Sequence, residues 1–187
     1  MGRKDETISA RAIIIMGVSG SGKSTLASLL GQQLGCPFFE GDSFHSEANV
    51  AKMRAGVPLS DADRWPWLDT LGEAIGKAVR QEGVAVAACS ALKRAYRDRL
   101  RAAIGLPTSF VQLEVGREEL VRRLGNRPGH YMPASLIDSQ LAILEPPGTD
   151  ERAIMIDSAL PPAQEADRVL QWLVADAIDT KRPARAG

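Results

Sequence analysis

The amino-acid sequence predicts an α/β fold in which helices cover both faces of a doubly wound, five-stranded parallel sheet. Strand-like and helix-like patterns alternate five times along the chain, which is the order that right-handed crossovers between parallel strands require. The run Val84–Cys89 also consists only of small or β-branched residues, as in a strand that is buried on both faces. Ligands bind beyond the carboxyl ends of such strands, so we expect functional residues in the loops that follow them.

The first strand, at 12–16, leads into the glycine-rich segment 17–24, which reads Gly-Val-Ser-Gly-Ser-Gly-Lys-Ser. A helix pattern with leucines along one face follows it, so the segment has the spacing and the context of a phosphate-binding loop. Glycines let backbone N–H groups point inward, and the helix N-terminus favours an anion. The predicted nucleotide contacts are Gly17, Val18, Ser19, Gly20, Ser21, Gly22, Lys23, Ser24 and Thr25.

The later elements follow from periodicity and from residues that end helices and strands. A second strand is predicted at 37–40 and a short helix at 47–54. A longer helix is predicted to begin near Pro66, because proline is favoured at the first helical position, and to end at Gly83. Strands at 84–89, 109–115 and 153–157 then alternate with a basic helix from Arg94 and a final helix whose apolar stripe ends at Ala177.

Two short helix patterns interrupt this alternation before the last strand. They are separated by Pro128-Gly129 and end at Pro146-Pro147, and they predict a helical lid at about 117–147. We expect one domain at 11–179, which contains this lid, between flexible tails at 1–10 and 180–187.

Composition and charge exclude several function classes. Lys plus Arg and Asp plus Glu both number 23, so no basic excess points to nucleic acid or to an anionic membrane surface. No apolar run is long enough for a membrane span, and we expect a cytoplasmic protein. The two cysteines and two histidines lack metal-ligand spacing, so neither a zinc site nor a disulfide is expected.

Phosphoryl transfer needs bound phosphates, Mg²⁺, cations over the developing charge and a group that orients the attacking hydroxyl. Lys23 is expected at the β- and γ-phosphates, and the Ser24 hydroxyl at Mg²⁺. Glu40 and Asp42 fall on the same side of an extended segment. There Asp42 is predicted to orient the hydroxyl and Glu40 to hold a Mg²⁺-bound water, although an Asp after a strand is also typical of a turn.

Further cations mark the expected cleft. Arg123 and Arg127 lie one helical turn apart in the lid and are the candidates for stabilising the transferred charge. Lys93 and Arg97 have the same spacing after the third strand, so both are expected to face the acceptor. With His45 and Arg54 they would clamp a carboxylate and several hydroxyls. Solvated basic helix faces are the alternative for both pairs.

Five stretches resemble the gluconokinases of the phosphate-loop kinase superfamily. They are Met16–Ser24, Glu40-Gly-Asp-Ser-Phe-His45, Lys52-Met53 with Pro58-Leu-Ser-Asp-Ala-Asp-Arg64 and Pro66-Trp-Leu68, Cys89-Ser-Ala-Leu-Lys93 with Tyr96-Arg-Asp98, and Gly129-His-Tyr-Met132 with Gln140 and Leu144-Glu-Pro146. Many kinases share the loop alone, whereas Cys-Ser-Ala-Leu-Lys and Gly-His-Tyr-Met are more specific. In two places the chain departs from the pattern, with Glu40 where Asp is common and Tyr131 where Phe is frequent.

The resemblance implies a nucleoside-monophosphate-kinase-like fold, ATP and Mg²⁺ as cofactors, and phosphorylation of the D-gluconate 6-hydroxyl to give 6-phosphogluconate. It also implies a homodimer. Asp42 is matched to the hydroxyl-orienting carboxylate, and Arg123 and Arg127 are matched to the lid cations that contact ATP. The matched sugar-acid contacts are His45, Arg54, Lys93, Arg97, His130 and Gln140.

Two other functions remain open at this point. One is a kinase for another hydroxylated acid such as shikimate, which would need the same loop and paired carboxylates. The other is a nucleotide-binding switch, although the chain has no Asn-Lys-x-Asp motif to specify guanine.

Overall fold

The computed structural model describes residues 8–125 and 134–181, and its five strands form one sheet in the order β2-β3-β1-β4-β5. Every neighbouring pair is parallel, which confirms the predicted doubly wound sheet. The strands are β1 Arg11–Met16, β2 Phe38–Glu40, β3 Val84–Ala88, β4 Thr108–Glu114 and β5 Ala153–Asp157. Their ends differ from the predicted ends by at most one residue.

The helices of the described ranges alternate with these strands. They are α1 Lys23–Leu34, α2 Glu47–Arg54, α3 Asp61–Glu82, α4 Arg94–Ile104, α5 Arg117–Gly125, α6 Ala134–Ile143 and α7 Pro162–Lys181, with one turn of 3-10 helix at Gly41–Phe44. Along the described ranges, every helix is too short or too polar for a membrane span.

The central strand β1 is buried over its whole length and separates two apolar layers. Because side chains alternate along a strand, Ile14 faces the layer that contains Leu71 and Leu100 of α3 and α4. Ile13 faces the opposite layer, with Leu30 of α1 and others from α7. The two layers fix β1 in register, since a shift of one residue would exchange its buried faces.

Helix α3 begins earlier than predicted. It starts at Asp61 rather than near Pro66, because Ser60 and Asp63 form a reciprocal capping box. The Ser60 hydroxyl accepts from the Asp63 N–H at 3.2 Å, and the Asp63 carboxylate accepts from the Ser60 N–H at 2.9 Å. Pro66 therefore lies inside the helix, where its ring removes one backbone hydrogen bond.

The ends of the domain also differ from the predicted tails. Helix α7 continues to Lys181, two residues beyond the expected boundary at 179. At the other end, Ile8 packs against the core, and Ser9 accepts two hydrogen bonds from the Arg11 guanidinium. Both ends of the folded domain are therefore longer than the sequence pattern indicated.

Candidate active site

The carboxyl ends of the strands are bordered by two adjoining cavities of about 790 and 310 Å³. The larger is lined by the glycine-rich loop, the end of β2, helix α2, the last turn of α5 and the segment that begins α7. The smaller is lined by the loop after β3, the start of α3 and helix α6. Both cavities are lined by Ser19, Lys23, Asp42 and Met53, so these residues mark the junction.

The glycine-rich loop has the backbone conformation that its sequence predicts. Gly20 and Gly22 have φ angles of +82° and +99°, which side chains with a Cβ rarely adopt. The Lys23 ammonium donates to the Val18 carbonyl at 3.0 Å, which folds the loop back over the start of α1. The N-terminal end of α1 is thereby presented to the larger cavity, and this is a favourable place for phosphate.

Part of the predicted nucleotide set lines the larger cavity and part does not. The lining members are Ser19, Gly20, Gly22, Lys23, Ser24 and Thr25. Gly17, Val18 and Ser21 line neither cavity. Val18 is buried in an apolar cluster with Leu92 and Leu120, and the Ser21 N–H donates to the Val18 carbonyl. These three residues therefore support the conformation of the loop without lining either cavity.

The two predicted carboxylates both line the larger cavity, although not for the predicted reason. The extended segment ends at Glu40, and the 3-10 turn that follows carries Asp42 to the junction. This turn packs tightly, since a Cβ on Gly41 would lie 2.3 Å from the Ala88 carbonyl oxygen. The Trp67 indole N–H donates to the Gly41 carbonyl at 2.7 Å and holds the turn in place.

These carboxylates and the Ser24 hydroxyl form a set of oxygen donors that suits Mg²⁺. In the part of the chain that the structure describes, no cluster of three His, Cys, Asp or Glu side chains forms a ready-made metal cage.

His45 is buried at the wall of the smaller cavity. Its ring stacks on Trp67 with centroids 4.0 Å apart, and Asn49 Nδ2 lies 3.4 Å from its Nδ1. Burial lowers the pKa of His45 from its ordinary value of 6.5, and the nearby Asp42 opposes that effect only in part. The imidazole is therefore neutral at pH 7 and offers a hydrogen bond rather than a charge.

Lys93 lines the smaller cavity, as predicted, but it is already paired there. Its ammonium contacts both Asp61 carboxylate oxygens at 3.0 and 3.3 Å, and the Tyr96 hydroxyl donates to the same carboxylate at 2.5 Å. These two donors lower the pKa of Asp61. Sequence reasoning missed Asp61, Tyr96 and Arg64 as lining residues, although all three lie in stretches that carried the family resemblance.

Arg97 does not face the cleft, which corrects the expectation drawn from its spacing to Lys93. Its side chain is fully buried, and it donates to both carboxylate oxygens of Glu151 at 2.6 and 2.8 Å. It also donates to the carbonyls of Ala91 and Leu92. Ala91 has a φ of +42°, so Arg97 and Glu151 hold the loop before Lys93 in a conformation that alanine rarely adopts.

Two further predicted substrate contacts lie in different cavities. Arg54 lines the larger cavity only, on the side of the glycine-rich loop. Gln140 lines the smaller cavity, where its side-chain oxygen accepts from the Ser19 N–H at 2.7 Å and its amide donates to the Ser19 hydroxyl at 3.1 Å. Helix α6 of the predicted lid therefore contacts the glycine-rich loop directly.

Arg123 lies at the larger cavity, as its predicted role requires. It pairs with Glu119 at 2.7 Å and donates to the Ser158 hydroxyl and carbonyl at 2.8 and 2.6 Å. Sequence reasoning missed Ser158 and Glu165, which line the same cavity; burial raises the pKa of the Glu165 carboxyl. Arg127 and His130 lie outside the described residues.

Comparisons with known proteins agree with this arrangement. A family described as an AAA domain matches residues 13–147. The gluconokinase of Gluconobacter oxydans (strain 621H) is 48% identical, over 88% of this chain and 89% of that protein. The thermoresistant gluconokinase of Escherichia coli (strain K12) is 38% identical, over 89% of this chain and 90% of that protein.

The same relationship is found among solved structures. The crystal structure of a gluconokinase from Sinorhizobium meliloti 1021 superposes with a TM-score of 0.82 and is 39% identical, covering 92% of this chain and 98% of that one. Each of these three comparisons covers most of both chains. The chain belongs to the gluconokinase family of phosphate-loop kinases.

Proposed function

We propose that this protein transfers the γ-phosphoryl group of ATP to the 6-hydroxyl of D-gluconate, giving 6-phosphogluconate and ADP. The observation that carries the proposal is the junction of the two cavities. A phosphate-binding loop lines one cavity, polar and charged groups line the other, and Lys23 and Asp42 lie where they meet. A hydroxyl bound in the smaller cavity would therefore face a phosphate bound in the larger one.

The loop and the start of α1 would hold the triphosphate through backbone N–H groups, with Lys23 at the β- and γ-phosphates. The Ser24 hydroxyl would hold Mg²⁺ directly, with Glu40 holding it through water. When bound, the ion neutralises charge on the phosphate oxygens. Arg123, together with Arg127, would stabilise the charge that develops on the transferred group.

Asp42 would orient the acceptor hydroxyl and accept its proton. The hydroxyl oxygen forms a bond to the γ-phosphorus as the bond from that phosphorus to the β–γ bridging oxygen breaks, so ADP leaves with the bridging oxygen. His45, Lys93 and Gln140 line the smaller cavity and are proposed to bind the hydroxyl groups of gluconate. Arg54 and His130 keep their proposed contacts with the sugar acid, whereas Arg97 is buried away from both cavities.

We also propose a cytoplasmic location and a homodimer. The location is the expectation drawn from the sequence, and the homodimer rests on the family resemblance.

The test is a Mg²⁺/ATP assay of the purified protein against gluconate, related sugar acids, shikimate and no acceptor, with mass detection of the product. Gluconate-dependent ADP release with a phosphogluconate of matching mass is expected. ADP release that depends on shikimate would instead indicate a kinase for another hydroxylated acid. ADP release that is independent of every acceptor would instead favour a nucleotide switch.

A further inference from the structure

Arg64 lines the smaller cavity from the first turns of α3, and the pairing of its side chain is incomplete. Its Nε is buried and has no hydrogen-bond partner in the described part of the chain. One terminal nitrogen, Nη2, donates to the Leu59 carbonyl at 3.3 Å, and the guanidinium carbon lies 5.2 Å from the centroid of the Tyr96 ring. A buried donor without an acceptor is uncommon in folded proteins and calls for an explanation.

The charges around this cavity point to the same side chain. The ammonium of Lys93 is neutralised by Asp61, and the imidazole of His45 is neutral at pH 7. Among the described residues, no carboxylate forms a salt bridge with Arg64, although every arginine of α4 and α5 has one. Lys23 also lines this cavity but is assigned to the phosphates, so Arg64 is the cation at the acceptor side, within the described residues, that lacks a salt bridge to a carboxylate.

Arg64 lies on the acceptor side of the junction between the two cavities. Asp42 lies at the junction of the two cavities, whereas Arg64 lines the smaller cavity alone. In gluconate the 6-hydroxyl and the carboxylate are at opposite ends of the carbon chain. When the hydroxyl lies beside Asp42, the carboxylate extends away from the phosphates into the part of the cavity that Arg64 borders.

We propose that Arg64, through the guanidinium that lines the smaller cavity, binds the carboxylate of the acceptor and thereby selects sugar acids over neutral polyols. A guanidinium presents its donors in a planar fork that matches the two oxygens of a carboxylate. This inference rests on the proposed function and assigns to Arg64 the recognition of the charged end of the substrate.

The test compares gluconate with gluconamide, which keeps every hydroxyl and lacks the charge. For Arg64→Met, we expect kcat/KM for gluconate to fall about 30-fold or more, because KM for gluconate rises. KM for ATP and kcat/KM for gluconamide should stay near the wild-type values. Arg64→Lys keeps the charge without the planar fork, so its kcat/KM for gluconate should lie between the values for wild type and Arg64→Met. Arg80→Met, an exposed change on the same helix, is the matched control.

The outcomes separate the two proposals. Suppose that wild type turns over gluconate and that Arg64→Met prefers gluconate over gluconamide as strongly as wild type does. The role proposed for Arg64 would then be wrong, and the proposed function would stand. An equal loss for both acceptors would show a structural role instead. If Arg64→Met fails to fold, Arg64→Lys takes its place. A preference of Arg64→Lys for gluconate over gluconamide equal to that of wild type would then overturn the inference. Wild type without any gluconate-dependent ADP release would overturn both proposals.

Discussion

Asp42 is the side chain on which the proposed chemistry depends most directly. It lies at the junction of the two cavities, and its side chain is 76% exposed, so an acceptor hydroxyl can approach it. The turn that carries it is fixed by the tight packing of Gly41 and by the bond from Trp67. The position of the carboxylate is therefore set by groups that do not touch the substrate.

Asp42→Asn should lower kcat by about 10²-fold to 10⁴-fold, because the amide cannot accept the proton of the attacking hydroxyl. ATP affinity should be unchanged, since the glycine-rich loop is intact. Steady-state kinetics and ATP titration measure the two effects. Asp69→Asn, which alters a carboxylate paired with Arg99 on the outer side of α3, is the matched control. Near-normal turnover of Asp42→Asn would remove Asp42 from the mechanism.

The Arg97–Glu151 pair stabilises the loop before Lys93 and should be costly to break. Both side chains are almost fully buried, at 0% and 1% exposure. Glu151→Gln would leave a buried guanidinium without its counter-charge, so we expect a loss of about 3–5 kcal/mol in the free energy of unfolding. Urea unfolding measures this loss, and a change below about 1 kcal/mol would contradict the account.

The same pair predicts a pH dependence. Hydrogen bonds from Arg97 lower the pKa of Glu151 below its ordinary value of 4.5. The folded state therefore favours the ionised carboxylate, and its contribution to stability is complete above pH 4.5 and disappears as the pH falls through the lowered pKa. Urea titrations below pH 4.5 should therefore show a smaller difference in the free energy of unfolding between wild type and Glu151→Gln. A constant difference would be inconsistent with ionisation of Glu151.

At the scale of elements, the contact between α3 and α4 depends on two glycines one turn apart. A Cβ on Gly72 would lie 2.5 Å from the Ala103 Cβ, and one on Gly76 would lie 2.4 Å from the Ile104 carbonyl oxygen. Glycine normally weakens a helix by about 1 kcal/mol relative to alanine. Here it permits a close approach of two helices that cover the same face of the sheet.

Gly76→Ala should therefore destabilise the protein by about 1–3 kcal/mol, although alanine is the better helix former. The added methyl group would meet backbone, which cannot rotate out of the way as a side chain can. Thermal or urea unfolding provides the measurement. Gly116→Ala, at a position with no described atom within 4 Å of the added Cβ, should be near neutral. A stabilised Gly76→Ala variant would show that the two helices can separate at little cost.

At the scale of the whole molecule, α5 and α6 form one unit over the glycine-rich loop. Their leucine and isoleucine side chains pack with Val18 of the loop, and an exposed ion pair joins Arg117 to Asp138 at 2.6 Å. Gln140 adds two hydrogen bonds to Ser19. We infer that residues 117–147 move as a lid that closes over ATP and gluconate and excludes water from the γ-phosphate.

Closure predicts that ATP and gluconate together protect this segment from proteolysis more than either ligand alone. Arginines in α5 offer trypsin sites within the lid, and mass mapping of the products identifies which bonds are cut. Cleavage elsewhere in the chain serves as the internal reference. Equal cleavage of 117–147 with and without both ligands would show that the lid does not close.

The sequence by itself determined the strand order along the chain, the phosphate-binding loop and the regions that form the cleft. These features are local, because strand and helix periods and the glycine spacing depend only on residues that are close together in the sequence. The parallel sheet then follows from alternation, and the carboxyl ends of its strands bring the loops together. For the same reason the family could be identified from five short stretches.

Only the tertiary structure decided which of the polar residues near the cleft are available to a ligand. Arg97 and Arg64 both lie near the start of a helix that borders the cleft, yet Arg97 is bound by Glu151, which is 54 residues away. Arg64 has a buried donor for which the described residues offer no partner. Helical spacing indicates which residues share a face but not what covers that face. Burial and ion pairing depend on distant parts of the chain, and so they were settled by the packing of the whole molecule.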